Sequence, residues 1–457
     1  MKEKISKALP FLVVGVVVFM LLSLHFGWLN AFFFDTEHAD VQGIDYFSAP
    51  KSYLNLLEKR SMFDTWGGTA YGPHSTWYLA HPAFSVFVGS WFSFFSPWTS
   101  YWLFTLFSVA LMAFSGWMIS RASTDTFNQR LSIAVLLCAF PTYWLLFVGN
   151  IHAVLVVAIT FILLGIFDLT YAENERQGQQ KLMAGLLISF FSKPVVLLML
   201  PLLLFTKETR KTTIKSLVIY GIVSLIFIVV PMFNPEGVGL QKLMTLNTDF
   251  IKQNMNIYKN NFVLNAFMKD NAMHWFNLIA QSEYKLMHVD VYSLPVFVDT
   301  IAGRETPAGI YKTPIYLSML LSFFVLFIND KKIRLEATLL LIMAISLTFF
   351  LSYNTVWEYQ FTSALPVIAL LPILKEKDVF YKKYIPVMFG IGLFFCLPSL
   401  YCMVRKSELN SKAITLIRAD RVIPALLLFV MMTVLLFNII KQHIDTGTEE
   451  NAEEKTQ

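Results

Sequence analysis

LPFLVVGVVVFMLLSLHFGW, residues 9–28, is an apolar run of about 20 residues, long enough to cross the hydrocarbon core of a bilayer as one helix. Lys2, Lys4 and Lys7 precede it and no small-residue cleavage site follows, so we expect an uncleaved first span with a cytoplasmic N-terminus. Comparable runs continue along the chain, which is 56% hydrophobic over 457 residues with a mean hydropathy of +0.57. The sequence therefore predicts an all-α polytopic integral membrane protein with about 11–13 transmembrane helices.

Composition and motif content argue against several classes of function. The net charge of +5 is spread over many connections, so nothing indicates a nucleic-acid partner. Cys138, Cys396 and Cys402 lie inside apolar runs without metal-ligand spacing, and we assign them no redox role. The chain has no Walker A motif and no glycine-rich nucleotide fingerprint, which argues against an enzyme that uses a nucleotide sugar.

The positions of lysine and arginine indicate how the apolar runs are threaded. If every run crossed the membrane, the basic residues in 121–130 and 173–181 would lie outside, which the positive-inside rule disfavours. We therefore expect residues 75–95 to lie along the outer face. We also expect the run 182–205 to break at Ser192-Lys193-Pro194, because proline removes a backbone donor and clashes with the preceding turn. Further runs lie near 99–120, 131–148, 152–170, 214–232, 311–329, 336–352, 361–374, 385–403 and 422–440.

This threading collects the unusual polar segments on the outer face of a single membrane domain, residues 1–440. The first is an acidic outer loop at residues 30–98, in which residues 50–60 are predicted to form an interfacial helix capped by Ser48. The second is a large outer loop at residues 233–310, longer than a plain connection needs.

Two segments near the C-terminus are predicted from their charge. Residues 404–421 carry five basic side chains on the predicted outer face, and we expect a surface helix that meets lipid phosphates. Residues 441–457 are polar and charged, and they are predicted to form a disordered cytoplasmic tail.

Five short motifs carry the functional signal, and their order along the chain is informative. They are Asp45-Tyr46-Phe47-Ser48-Ala49, Tyr71-Gly72-Pro73 before an apolar run, Gly149-Asn150-Ile151-His152, Ala184-Gly185 leading to Ser192-Lys193-Pro194, and Glu358-Tyr359. With the broken middle helices and large outer loops, this order resembles the GT-C superfamily of membrane glycosyltransferases. Within that superfamily it is similar to glycosyltransferase family 87, the polyprenol-phosphate-mannose-dependent mannosyltransferase-like pattern.

The resemblance implies a GT-C-like fold with juxtamembrane helices in the first outer loop. It implies an enzyme of the bacterial cytoplasmic (inner) membrane with its active site on the outer face, surrounded by membrane lipids. It further implies transfer of a mannose-like hexose or a pentose from a polyprenyl-phosphate donor to an extracytoplasmic glycan or lipid acceptor, with inversion at the anomeric carbon.

The resemblance places the general base at Asp45. Inverting transfer needs a carboxylate that accepts the proton of the acceptor hydroxyl while the anomeric carbon is attacked. Asp45 could instead cap the helix that begins near Ser48. Asp40 is a second catalytic candidate, and Asp40 or Glu37 could orient the acceptor.

The acidic start of the first outer loop also contains the ligand types that a divalent cation such as Mg or Mn prefers. Their spacing matches no established metal template, and solvated loop charges are the simpler explanation. The candidate ligands are Asp35, Glu37, His38 and Asp40.

Lys193 is the most informative cation, because a lysine within an apolar run is costly at membrane depth and is by default a functional candidate. At a helix break it is predicted to bind the phosphate of the donor, with snorkelling to the surface as the alternative. Asn150 and His152, at a helix start, would assist the same phosphate, although a histidine there is also a common cap. Other candidate lining residues are His74, Arg304, Glu358 and Tyr359.

Two other functions remain open at this point. A transporter or flippase of lipid-linked glycans would also have broken spans and an intramembrane lysine. Its ionisable groups should lie deep in several spans, whereas here they cluster in outer loops. A glycan polymerase or ligase would be expected to hold its pyrophosphate donor with basic outer-loop residues.

Overall fold

The computed structural model describes residues 2–29, 42–58, 70–73, 82–172, 174–229, 292–302, 308–352, 356–403 and 411–453. Within these ranges the chain forms helices joined by turns, with no β-strand, and six helices are long and apolar enough to cross a membrane. The bent pair Thr126–Cys138 and Phe140–Val148, with 41° between its halves, is a seventh candidate. The all-α polytopic membrane fold is therefore confirmed.

The candidate spans account for only part of the predicted 11–13. The remaining apolar runs fall in shorter or broken helices, or they reach beyond the described residues. The six spans are Lys2–Phe26, Pro97–Ser120, His152–Tyr171, Ile310–Phe327, Lys331–Ser352 and Lys412–His443. The other described α-helices of six or more residues are Ser48–Leu57, Glu175–Phe191, Leu200–Phe205, Lys207–Val229, Leu294–Ala302, Leu365–Leu374 and Ile385–Leu393.

Two spans form the centre of the molecule. The most apolar stretch of Lys331–Ser352 is 100% buried and that of His152–Tyr171 is 83% buried, as expected for helices that are hydrophobic on all sides. In contrast, only 28% of the corresponding stretch of Lys2–Phe26 is buried, and most of its exposed side chains are apolar, such as Phe11 and Val14. An apolar face of this extent is suited to contact with lipid.

Helix Glu175–Phe191 packs closely on the central helix His152–Tyr171. A Cβ atom placed on Gly185 would lie 2.6 Å from the carbonyl oxygen of Ala158, so only glycine permits this approach. The helix ends at Phe191 and a 3-10 helix, Pro194–Met199, follows, which confirms the predicted break at 192–194. The close packing therefore holds the break against the start of the central helix.

The connections predicted to be cytoplasmic lie together at one end of the molecule. Polar contacts join them in pairs, and both the N-terminus and the start of the Lys331–Ser352 helix take part. The contacts are Lys2 Nζ to Asp125 Oδ2 (2.5 Å), Asn128 Nδ2 to Glu376 Oε1 (2.7 Å), Arg334 Nε to Glu208 Oε2 (3.2 Å) and Lys331 Nζ to Glu175 Oε1 (3.8 Å). This grouping agrees with the threading, while its orientation in the membrane stays a prediction.

The structure corrects the prediction for residues 404–421. Residues 411–421 are the first turns of one long helix, Ser411–Glu453, which continues into the last span. Arg418 and Arg421 are 1% and 0% exposed, so these two side chains face the protein and do not meet lipid phosphates. Residues 404–410 lie outside the described residues.

Two further boundaries differ from the predictions. The last helix continues to Glu453, so part of the tail predicted as disordered from 441 is helical, because an established helix extends at low cost. The helix predicted at residues 50–60 spans Ser48–Leu57 instead. Residues 82–92, predicted to lie along the outer face, form three short helical segments that do not amount to a span.

Candidate active site

The first predicted catalytic residue, Asp45, is held by the backbone of its own turn. The last carbonyl groups of any helix lack hydrogen-bond donors within that helix. For helix Phe140–Val148, backbone N–H groups of the turn at residues 43–46 are the donors. Asp45 is thereby fixed beside the end of that helix. The bonds are Gly43 N to Phe147 O (2.8 Å), Asp45 N to Val148 O (3.0 Å) and Tyr46 N to Val148 O (3.3 Å).

Gly149 makes this docking possible. It has a left-handed backbone with φ of +68°, which terminates the helix, and its N–H donates to the carbonyl oxygen of Leu145 at 3.0 Å. A Cβ atom at this position would lie 2.5 Å from the Cβ of Tyr46. Glycine is therefore needed both for the turn and for the contact between the two chain segments.

The side chain of Asn150 connects Asp45 to the start of the central helix. Its Oδ1 accepts from the backbone N–H of His152 at 3.1 Å and from Lys193 Nζ at 3.2 Å. Both partners donate, so the amide oxygen must face them and the NH₂ group must face the other way. There, Asn150 Nδ2 donates to Asp45 Oδ2 at 2.6 Å.

Lys193 reaches this cluster because of the proline that follows it. Proline disfavours helical geometry in the residue before it, and Lys193 has an extended backbone with φ of −130° and ψ of 115°. Its Nζ lies 2.9 Å from His152 Nδ1 in addition to its bond to Asn150. The ammonium group thus faces the start of the central helix, which argues against snorkelling to the surface.

Tyr359 closes the cluster from a distant part of the chain. It is the second residue of a 3-10 helix, Glu358–Ala364. Its ring centroid is 5.8 Å from Lys193 Nζ, within the range of a cation–π contact, and 5.3 Å from the ring of His152 in an edge-on arrangement. A hydrogen bond from Tyr359 also acts on the Asp45 carboxyl.

Exposure separates the charged members of the cluster from the neutral ones. Asn150, His152 and Tyr359 are buried, whereas Asp45 and Lys193 retain partial exposure. The carboxylate and the ammonium group are therefore the members most accessible to a substrate. His152 Nε2 is buried and has no hydrogen-bond partner in the described part of the chain.

Burial raises the pKa of the Asp45 carboxyl above its ordinary value of 3.8. Three weaker effects oppose this shift: the hydrogen bond from Asn150, the charge of Lys193 and the hydrogen bond from Tyr359. A carboxylate with a raised pKa is a better proton acceptor than an ordinary aspartate, so the environment suits a general base.

The structure brings five predicted site residues together and separates one from them. Asp45, Asn150, His152, Lys193 and Tyr359 form the cluster described above, hereafter the Asp45 cluster. Glu358 is committed elsewhere: its carboxylate pairs with Arg421, with Nη2 to Oε1 at 2.6 Å.

The other predicted residues lie outside the described part of the chain. These residues are Asp35, Glu37, His38, Asp40, His74 and Arg304. Within the described ranges, no group of three or more His, Cys, Asp or Glu side chains is arranged to hold a metal ion. The predicted Mg or Mn site therefore stays a prediction.

Sequence reasoning missed the partners of two buried residues, Tyr101 and Arg421. The hydroxyl of Tyr101, which is fully buried, donates to the carbonyl oxygens of Leu146 (2.8 Å) and Phe147 (3.1 Å), next to the Asp45 turn. No signal in the sequence distinguishes this tyrosine from its neighbours. Arg421 is one of the five basic side chains in residues 404–421 that were predicted to meet lipid phosphates, and the sequence pattern does not indicate that it pairs with Glu358.

Comparison with known proteins gives one match. A family model described as Glycosyltransferase family 87 matches residues 78–248. The matched segment includes Asn150, His152 and Lys193, while Asp45 and Tyr359 lie outside it. No curated protein and no solved structure matches the chain. The match confirms the resemblance to family 87 and indicates a membrane glycosyltransferase.

Proposed function

We propose that this protein transfers a mannose-like hexose or a pentose from a polyprenyl-phosphate donor to an extracytoplasmic glycan or lipid acceptor. Asp45 is the general base, Lys193 binds the donor phosphate, and the anomeric configuration is inverted. The family match supports glycosyl transfer in general. The choice of donor and acceptor and the role of Asp45 come from the resemblance of the motifs, and the geometry of the Asp45 cluster supports the roles of Asp45 and Lys193.

One observation carries the proposal: a single carboxamide lies between a partly exposed carboxylate and a partly exposed ammonium group. Asn150 donates to Asp45 on one side and accepts from Lys193 on the other, at 2.6 and 3.2 Å. A sugar phosphate bound here would have its leaving group near the cation and the incoming hydroxyl near the base. Glycosyl transfer from a phosphate donor requires this pair of charges.

The reaction is a single displacement. The acceptor oxygen forms a bond to the anomeric carbon as its proton passes to a carboxylate oxygen of Asp45. The bond between that carbon and the phosphate oxygen breaks, and its electron pair leaves with the polyprenyl phosphate. Attack and departure occur on opposite faces of the sugar, so the configuration inverts. The developing negative charge on the phosphate is stabilised by the ammonium group of Lys193.

The start of the central helix assists Lys193. Helix His152–Tyr171 has 20 residues, and the positive end of its dipole lies at the cluster. His152 Nε2 is an additional polar atom available to a phosphate oxygen or a water once the side chains adjust to a substrate. Asp40 remains a predicted catalytic residue, and His74 and Arg304 remain predicted lining residues of the site. Residues 233–310 are predicted to shape the acceptor side.

We place the reaction at the outer face of a bacterial cytoplasmic (inner) membrane. The connections rich in lysine and arginine join at the end that the positive-inside rule assigns to the cytoplasm. The chain enters the first outer loop, which carries Asp45, at the other end of the first span. A lipid-linked donor would reach the Asp45 cluster from the outer leaflet.

The test is release of polyprenyl phosphate by purified protein in lipid nanodiscs. The nanodiscs contain a panel of polyprenyl-phosphate sugars, and a membrane glycan extract serves as acceptor. We expect release with at least one donor and none for Asp45→Asn. The matched control is Asp125→Asn, which alters a carboxylate at the opposite end of the fold and should retain activity.

Two outcomes would reject the proposal. Absence of release with every donor would exclude the assigned donor class. Translocation of a labelled lipid-linked glycan across vesicles without release would identify a transporter instead.

A further inference from the structure

A fully buried ion pair lies directly behind Tyr359. Arg421 and Glu358 are 0% and 1% exposed. The guanidinium group contacts the carboxylate through two nitrogens, with Nη2 to Oε1 at 2.6 Å and Nε to Oε1 and Oε2 at 3.1 and 3.2 Å. This side-by-side geometry fixes the orientation of both groups, which a single contact would not do.

The remaining donors of Arg421 bind a third segment of the chain. Nη1 donates to the carbonyl oxygen of Phe394 at 2.8 Å, and Nη2 also donates to that of Leu397 at 2.6 Å. Arg421 thus joins the last helix, the turn after Ile385–Leu393 and the 3-10 helix Glu358–Ala364. A buried ion pair gives little net stability compared with apolar packing. We therefore look for its role in the placement of an adjacent residue.

The neighbour is Tyr359, the next residue after Glu358. We propose that Arg421 and Glu358 are positioning residues that hold the ring of Tyr359 against Lys193 and its hydroxyl at the Asp45 carboxyl. This role rests on the proposed function, in which Asp45 and Lys193 act on the substrate. Neither Arg421 nor Glu358 touches the substrate in this arrangement.

Glu358 and Tyr359 are adjacent in the chain, so fixing the Glu358 side chain also restricts Tyr359. Glu358 is the first residue of the 3-10 helix and Tyr359 the second, so a rotation of the backbone at Glu358 moves the ring of Tyr359. The ring contacts both Lys193 and His152. Further along the same 3-10 helix, Phe361 stacks on Phe350 with ring centroids 4.5 Å apart. The helix is therefore anchored on both sides of Tyr359.

The first test is the pH dependence of kcat/KM in Glu358→Gln, which keeps the shape of the side chain and removes its charge. On the acid side of this profile, kcat/KM falls as Asp45 becomes protonated; we call this part the acid limb. Loss of the Tyr359 hydrogen bond leaves the Asp45 carboxylate less stabilised, so the acid limb should move to higher pH by about half a unit to one unit. Arg421→Lys keeps the charge without the planar fork, and it should give a smaller shift in the same direction.

The matched control is the ion pair of Glu208 and Arg334 at the opposite end of the fold, whose side chains are each 9% exposed. Glu208→Gln should lower the melting temperature without moving the acid limb. If Glu358→Gln also lowers the melting temperature and leaves the acid limb unchanged, the pair is only structural and the proposal is wrong.

A double-mutant cycle tests whether Glu358 acts through Tyr359. In the Tyr359→Phe background, Glu358→Gln should move the acid limb by less than a third of its effect in the wild-type protein. Equal effects in both backgrounds would show that Glu358 does not act through the Tyr359 hydroxyl, and they would overturn the proposal.

A last measurement needs no turnover. With 3-fluorotyrosine incorporated at position 359, the ¹⁹F resonance in nanodiscs should be narrow in the otherwise wild-type protein and shifted or broadened by Glu358→Gln, but not by Glu208→Gln. An unchanged resonance would overturn the positioning role. If the wild-type protein releases no polyprenyl phosphate from any donor, the proposed function fails, and the resonance alone decides whether the pair holds Tyr359.

Discussion

Asn150 Nδ2 donates to Asp45 Oδ2 across 2.6 Å, although the two residues are 105 positions apart in the sequence. Asp45 reaches this position because its turn completes the carbonyl groups at the end of helix Phe140–Val148, and Asn150 follows that helix by two residues. The contact joins the end of this helix to the turn at residues 43–46. The alternative role of Asp45 was to cap the helix that begins near Ser48. Its carboxylate instead accepts a hydrogen bond from Asn150, which argues against that role.

Asp45→Asn should reduce turnover by about 10²–10⁴-fold, the usual contribution of a general base. The side chain keeps its size, so the reduction would come from the lost proton acceptor. The measurement is single-turnover release of polyprenyl phosphate, with Asp125→Asn as control. Turnover within about threefold of wild type would remove Asp45 from the catalytic role.

The same substitution should stabilise the fold at neutral pH. The folded pKa of Asp45 is raised above the unfolded value, so its contribution to stability is present below pH 3.8 and is lost as the pH rises through the folded pKa. Asparagine resembles the protonated form, so the melting temperature of Asp45→Asn should exceed that of wild type at pH 7. The difference should vanish near pH 4, as thermal denaturation at both pH values would reveal.

The acid limb of kcat/KM should lie at a higher pH than the ordinary aspartate value of 3.8, because the base must be ionised and burial raises its pKa. The hydrogen bond from Asn150 opposes that shift, so Asn150→Ala should move the limb further upward. Asn128→Ala, which removes an amide from Glu376 at the other end of the fold, should leave the limb in place. A limb that Asn150→Ala does not move would contradict the assignment of Asp45.

Lys193→Met should raise the KM for the donor or lower kcat by a combined factor of about 10–100, as expected for loss of a charge-assisted hydrogen bond. Lys193→Arg keeps a cation at the position and should retain more activity. The control is Lys181→Met. This variant breaks the ion pair between Lys181 Nζ and Asp168 Oδ2, which are 2.6 Å apart and are not part of the Asp45 cluster. If Lys193→Met has the kinetics of wild type, the phosphate is bound elsewhere.

Gly149→Ala should lower both stability and activity. A left-handed backbone costs an L-residue about 1–2 kcal/mol, and the added Cβ would collide with Tyr46 at 2.5 Å. The resulting displacement of the Asp45 turn would reduce turnover. Gly15→Ala is the control, since no atom lies within 4 Å of its added Cβ and alanine favours helix. Equal melting temperatures for the two variants would refute this account of Gly149.

The sequence by itself determined the membrane class, the positions of the six candidate spans in the described residues and the break at Pro194. These depend on local properties: the length of an apolar run, the charge of the connections and the missing N–H of proline. It also singled out Lys193, because a lysine within an apolar run is costly unless it has a role. Asp45, Asn150 and His152 came from the motifs that resemble family 87.

Only the tertiary structure decided which of these groups meet. Tyr359 lies near Lys193, and Glu358 pairs with Arg421 across 63 positions of sequence. Such pairings depend on which helix ends are packed together, and hydropathy carries no information about that. The same limit explains Arg418 and Arg421: their charge predicts a surface position, whereas partners such as Thr300 for Arg418 and Glu358 for Arg421 offset the cost of burying them inside the fold.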